Sequence, residues 1–592
     1  VIESFEVLRE RGRIALARGD VPTALTALRA AAARTDAPQR DYVQVLQPLA
    51  ELLKRTKDPR GALTVIAYLA SARPAQWEDA TALLPDVTPN DRARVLAAQS
   101  RTSEAAREAE LSGNVASAAF FQEMGGQWHA ARALWARLAS LLGSGAAIAL
   151  PSQQDASGEN RYIAALVHFN LARCAKQCGD TAQTREAAIA CVRLLEEAAD
   201  RFESIGQRER AFDCFQVLTQ IGRESGAFED VLEGFVNCIR ILREDHLKDF
   251  ALQHYEEAID TAIAWSEMSA AATLAREAAG YARSLGLLPR SNGFVSRQGD
   301  LWRACAKEHV ARGAPAAIAE NALLASALAY GQIGQASCVR QVYEELERLD
   351  LDPARREHYG RGSRRYGAMK DEPVETTFAP ARSDKPGSAE GNEVWRVDVL
   401  EWERNGSASE ACTDVMLDRR YPEFIRRTAM LARMTALEAE RRLDDSSQAI
   451  ETARARLAHE LSLIQLYAVL SPLEHLFAQS GTSVKVAVLR GITTLLFFKR
   501  SFATVRAGLA DSDPSVVAEA IRAVASIDTA QAFDPLSRLV RESLDPNTRA
   551  AALKSLARID TTEAKEFLRG VLEHGFPADR LVVADALRGR RT

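Results

Sequence analysis

The chain has 592 residues, 47% of them hydrophobic and 26% charged, with a formal net charge of −5 at pH 7. That length exceeds what one hydrophobic core supports and points to several domains or one long array. The near-balance of charge gives no bulk attraction to nucleic acid or to an acidic membrane, and no apolar run approaches the roughly 20 residues needed to cross a bilayer.

Aromatic residues make up only 6% of the chain, and Ala, Leu, Arg and Glu, all strong helix formers, dominate it. An all-α protein is expected. The opening residues Val1 to Glu6 show no basic region followed by an apolar one. Eight cysteines, at positions 174, 178, 191, 214, 238, 305, 338 and 412, form no compact framework. Reduced thiols and a cytoplasmic, bacterial-type protein are the expectation.

From residue 1 to about 353 the text is helical, with turns marked by glycine. Gly12, Gly19-Asp20, Ala24 and Ala31 fall seven, five and seven apart. Small residues at that spacing let two antiparallel helices approach closely, with Gly19-Asp20 as the turn. The pattern resembles the tetratricopeptide repeat. Further copies begin at Ala119, Gly126, Ala131 and Trp135, and at Ala327, Tyr330, Gly334 and Tyr343, where Pro353 ends the unit. Leu171, Ala172, Ala175 and Gly179-Asp180 open a fourth. Gly206 and Gly226 are too close for a regular pair of hairpins, and Gly143 to Asn160 reads as an exposed loop.

In tetratricopeptide arrays the first helix of each pair lines a peptide groove. By register, the resemblance implies groove positions at Arg9, Arg13, Arg173, Lys176 and Gln177, which would suit an acidic or C-terminal peptide. The asparagines with which chaperone-binding members hold a peptide backbone are not found at the matching positions.

Residues 354–393 read as a flexible linker, because Glu372-Pro373, Ala379-Pro380 and Ser383 to Ser388 sustain neither helix nor core. The linker's entry is basic and interleaves Arg, Gly and Tyr. Arg361, Arg364, Arg365 and Tyr366 are its candidate contact residues, since arginine pairs with phosphate and tyrosine stacks on bases. Val394 to Val399 partly alternates, as a short strand would. Helices are then expected over 421–442 and 447–470.

The last part repeats every thirty-two residues. Asp513-Pro514 and Asp545-Pro546 are in register, each followed by apolar residues at helical spacing: Ala520, Ile521, Val524, Ile527, then Ala552, Leu553, Leu556, Ile559. One register earlier lie Gly481-Thr482 with Val488, Leu489, Ile492 and Leu495; one later lies Pro577 with Val583, Ala584 and Leu587. A hairpin this short cannot bury its apolar faces alone, whereas stacked copies can. The form resembles HEAT repeats over about 465–592. The expected architecture is two α-solenoids of stacked antiparallel helical hairpins, at 1–353 and 394–592, joined by the linker.

Motifs for chemistry are few. His459-Glu460 lacks a second histidine at zinc-site spacing, Cys174 and Cys178 have no partner pair, and no glycine loop stands in phosphate-binding context. No enzyme, cofactor or metal site is expected. The reading is a non-catalytic scaffold or adaptor that presents solenoid grooves to one or more partner proteins, with acidic segments as one partner type. The alternative is a nucleic-acid-binding protein that uses the basic linker and a concave HEAT-like face built from Lys485, Arg490, Arg522, Arg549 and Lys554.

Overall fold

The computed structural model describes residues 3–34, 39–72, 77–143, 156–376, 394–442, 447–493, 501–526 and 532–588. Among these, helices and turns account for the regular structure and no strand occurs. The chain divides into two compact units, residues 1–217 together with 390–592, and residues 218–389.

The first unit opens with helices α1 (Phe5–Arg18), α2 (Val21–Ala32), α3 (Gln39–Arg55), α4 (Pro59–Ala72), α5 (Trp77–Ala82) and α6 (Pro89–Ala98). It continues through α7 (Thr102–Leu111), α8 (Val115–Met124), α9 (Trp128–Gly143), α10 (Ala156–Gln177), α11 (Thr181–Ser204) and the part of α12 (Arg208–Ser225) up to residue 217. The turn glycines picked out by the repeat spacing, Gly19, Gly126, Gly179 and Gly334, have φ from +68° to +75°. Only glycine adopts that left-handed conformation without strain, so it ends one helix and aims the next. Asp20 and Asp180 then cap the following helices through Thr23 N and Gln183 N. Gly12 brings α1 against α2: a Cβ there would lie 2.6 Å from Leu28 Cδ2.

The second unit holds α13 (Phe228–Glu244), α14 (Lys248–Ala264), α15 (Met268–Ser284), α16 (Leu288–Ala311), α17 (Ala316–Gln332), α18 (Ala336–Glu347) and α19 (Pro353–Gly367). Helix α19 occupies the stretch expected to begin the flexible linker. Asp352 caps it and Pro353 starts it. Tyr359 is buried, and it and Tyr366, two turns apart, bring their rings to 6.0 and 5.5 Å from that of Tyr343 on α18. Packing of these rings outweighs the low helix propensity of Gly360 and Gly362. The chain beyond is tied down as far as residue 376. Asp371 caps α18 by accepting from Ser337 N and Oγ, both at 2.7 Å, and Val374 packs on the apolar cluster around Tyr255 and Leu274. The rest of the expected linker, 377–393, lies outside the described residues.

The first unit resumes with α20 (Val394–Arg404), α21 (Ala408–Leu417), α22 (Glu423–Arg441), α23 (Ser447–Ser462) and α24 (Leu470–Gln479). Val394 to Val399, which alternates like a strand, is therefore the start of a helix. The repeats follow as α25 (Thr482–Ile492), α26 (Ser501–Leu509), α27 (Pro514–Ala525), α28 (Phe533–Glu542), α29 (Pro546–Leu556), α30 (Thr562–His574) and α31 (Pro577–Arg588). Asp513 and Asp545 are the caps of α27 and α29, with Pro514 and Pro546 at the first helical position. That position needs no backbone N–H, so proline is well placed there. Helices α25, α27, α29 and α31 stack on one another in the thirty-two-residue register. Val488, Leu489, Ala520, Ile521, Leu553 and Leu556 are all buried between them. Leu495 and Ile527 lie outside the described residues.

Candidate partner-binding surfaces

Helices α2, α4, α6, α8, α10 and α12 alternate along the N-terminal array. Within the first unit this alternate set carries most of the contacts with the C-terminal segment: α4 with α21 and α22, α6 with α21, α8 and α10 with α20. One continuous apolar cluster joins Leu46, Leu63 and Val95 to Met416, Met430 and Leu461. A fully buried side chain of this size contributes about 1.5–3 kcal/mol, so the association is a core and not a surface contact.

Charged groups give that core its register. Arg94, buried on α6, donates to Glu410 and Asp414 of α21 at 2.9 Å each. Arg60 on α4 bridges Asp91 at 2.7 Å and Glu440 at 2.9 Å. Arg29 on α2 reaches Glu438 at 3.1 Å and the Leu431 carbonyl at 3.2 Å on α22. At α12, Arg210 pairs with Glu159 and Asp213, and Arg506 of α26 donates to Glu209 at 2.7 Å. Tyr162 on α10 donates to Asp398 of α20, also at 2.7 Å. Tyr42 extends the contact to α3, with Arg427 stacked 3.8 Å above its ring.

One helix start depends on this association. Asn114 precedes α8 but makes no side-chain cap; its amide donates to Asn90. The cap comes from Glu403 on α20, whose carboxylate accepts from Ala116 N at 2.6 Å, Ser117 N at 2.7 Å and Ser117 Oγ at 2.5 Å. Burial pushes the Glu403 carboxyl up, against the opposing pull of these hydrogen bonds.

The expected groove residues have separate neighbours. Arg9, on α1, donates to Gln44 of α3 at 3.0 Å, and exposed Arg13 pairs with Glu10 of its own helix. Arg173, on α10, donates to Asn170 at 3.0 Å and pairs with buried Glu123 at 3.3 Å. Lys176 and Gln177 are exposed at the end of α10. Sequence reasoning missed Arg94, Arg433 and Glu403, because a buried arginine or glutamate has the same local pattern as a solvated one.

The basic residues of the HEAT-like part are mostly engaged. Lys485 pairs with Asp511, Arg490 and Arg522 both pair with Glu519, and Arg549 pairs with Asp579. Lys554 is exposed. On α19, by contrast, Arg361, Arg364 and Arg365 are all exposed while Tyr366 is half-buried. No described group of three or more His, Cys, Asp or Glu residues is arranged to hold a metal, and no described helix is long and apolar enough to cross a membrane.

Stacked helical hairpins define an α-helical repeat protein. Residues 502–588 match the family model of HEAT repeats. Among solved structures, the chain is similar to a circular tandem repeat protein with novel repeat topology, at 16% identity over 99% of this chain and 97% of that one, with a TM-score of 0.12. It is also similar to Naa15/Naa10 bound to HypK-THB (12% identity, 99% and 94% covered, TM-score 0.20). A third likeness is to the pentatricopeptide repeat protein PPR10 from maize (12% identity, 97% and 96% covered, TM-score 0.19). No curated protein matches the sequence.

Proposed function

We propose that the protein is a non-catalytic scaffold that binds partner proteins on helix faces outside the one its own C-terminal segment covers. The observation that carries this reading is the cis association itself. The face of α4, α6, α8 and α10 is built into a core with α20–α22. Such a frame is rigid before any partner arrives, so binding costs little ordering of the scaffold. The remaining helix faces are the surface on offer, and arrays of repeats suit whole domains as well as peptides.

Eight cysteines scattered along a helical chain with no compact framework fit a reducing compartment, and a cytoplasmic location is part of the proposal. The nucleic-acid reading loses support from the carboxylate partners of Lys485, Arg490, Arg522 and Arg549, which neutralise the stripe that would grip a duplex. The test is purification of the intact chain from its native lysate, with and without nuclease. A stoichiometric protein partner that survives nuclease is expected. Retention of nucleic acid alone would overturn the proposal.

A further inference from the structure

Several arginines in the second unit are paired with a carboxylate on their own or a neighbouring helix, while others, such as Arg276, Arg283 and Arg348, stand singly and exposed. Arg290 meets Glu256 at 3.3 Å, Arg303 meets Glu345 at 2.7 Å, Arg340 meets Glu344 at 3.4 Å and Arg355 meets Glu320 at 3.0 Å. The outer half of α19 differs by clustering such residues in a stretch without carboxylates. Between Glu357 and Asp371 the chain carries Arg361, Arg364, Arg365 and Lys370 and no carboxylate. All four are exposed, and among the described residues none of the four side chains has a hydrogen-bond or ion-pair partner. Arg361, Arg364 and Arg365 are spaced i, i+3, i+4, which places them on one helix face.

That face is held in place from behind. Tyr359 is buried and donates to Glu320 at 2.5 Å, Tyr366 packs on Tyr343, and a side chain at Gly362 would collide with the Tyr343 ring. The tyrosines are thereby occupied in packing and are not offered for base stacking. The patch is also small: residues 361–367 span about 10 Å of helix axis, too short for the six to ten phosphate contacts typical of duplex binding. Three planar guanidiniums carried on one helix face match closely spaced carboxylates, each able to take a two-pronged hydrogen bond.

We infer that the exposed face of α19 is a docking site for an acidic segment of a partner protein, with Arg361, Arg364 and Arg365 as the residues that pair with its carboxylates. This rests on the scaffold reading above and names the chemistry of one partner.

The test is fluorescence anisotropy of the full chain with a labelled peptide of eight glutamates, and separately with a labelled single-stranded oligouridylate. The peptide is expected to bind with an affinity that falls as salt rises. The triple variant Arg361→Ala, Arg364→Ala, Arg365→Ala should weaken it about tenfold. A control variant removing equal charge elsewhere in the unit, Arg276→Ala, Arg283→Ala, Arg348→Ala, should stay within about twofold of the wild type. Equal weakening by both variants, or no peptide binding at all, would overturn the assignment. So would oligouridylate binding that the first variant abolishes, which would give the face to nucleic acid. Because the probe needs no natural partner, failure here leaves the scaffold proposal to be judged by its own purification test.

Discussion

The Arg433 guanidinium donates to the Asp91 carboxylate at 2.5 Å across 342 residues of chain, and both side chains are buried. Asp91 opens α6 and Arg433 lies in the middle of α22, so the pair fastens the C-terminal segment to the N-terminal array at its core. Arg60 shares the same carboxylate from α4. Removing the anion leaves buried positive charge uncompensated. Asp91→Ala is expected to cost about 3–5 kcal/mol, and the double variant Asp91→Leu, Arg433→Met to recover most of that. Urea denaturation of the three proteins checks it; a double variant no better than the single would remove the pair from its fastening role.

The same carboxylate sets an acid limit. Burial raises the Asp91 carboxyl, but Arg433 and Arg60 beside it outweigh burial and hold it below its usual 3.8. A carboxylate depressed in the folded state contributes stability that is present above its unfolded value and lost as pH falls through its folded value. The stability gap between wild type and Asp91→Asn should therefore hold from neutral pH to about 4 and close on further acidification. A gap that widens below pH 3.8 would contradict the assignment.

Glu403 is expected to act in the opposite sense. Its folded carboxyl is raised above the usual 4.5 by burial. Its contribution is then complete below that value and diminishes as pH rises through the folded one. Relative to Glu403→Gln, the wild type should lose ground between pH 4.5 and neutrality, measured by thermal unfolding of both proteins across that range.

Loss of the C-terminal segment should be felt in the N-terminal array. A chain ending at residue 389 lacks α20–α31, and with them more than half of the apolar cluster that covers α4 and α6. Hydrogen exchange should show α4 and α6 deprotected, with α15 in the second unit little changed. Full protection of α4 in the shortened chain would mean that the array folds independently.

Close approach of α1 and α2 predicts a steric penalty. Gly12 has no room for a branched side chain beside Leu28. Gly12→Val should destabilise the protein by about 1–3 kcal/mol through overpacking, read as a lower urea midpoint.

Several elements were legible in the sequence because their causes are local. The glycine turns, the Asp-Pro helix starts and the thirty-two-residue apolar register are each decided by residues a few positions apart. Gly19 takes its left-handed φ of +75°, and Asp545 caps α29 through Asn547 N and Thr548 N. The arginines of α19 were likewise visible as a basic run. The helix beneath them was not, since Gly360 and Gly362 argue locally for a linker, whereas packing of Tyr359 and Tyr366 on the Tyr343 ring favours the helix.

By itself, then, the sequence determined that this protein is built of stacked helical hairpins, and where most of the hairpins turn. Only the tertiary structure decided that residues 390–592 fold into one unit with residues 1–217. The reason is physical. Helix periodicity and capping act over one or two turns, so they leave a pattern in the chain. The pairing of Asp91 with Arg433, or of Ser117 with Glu403, acts between residues hundreds of positions apart, and before folding each of those side chains looks like any solvated charge on a helix.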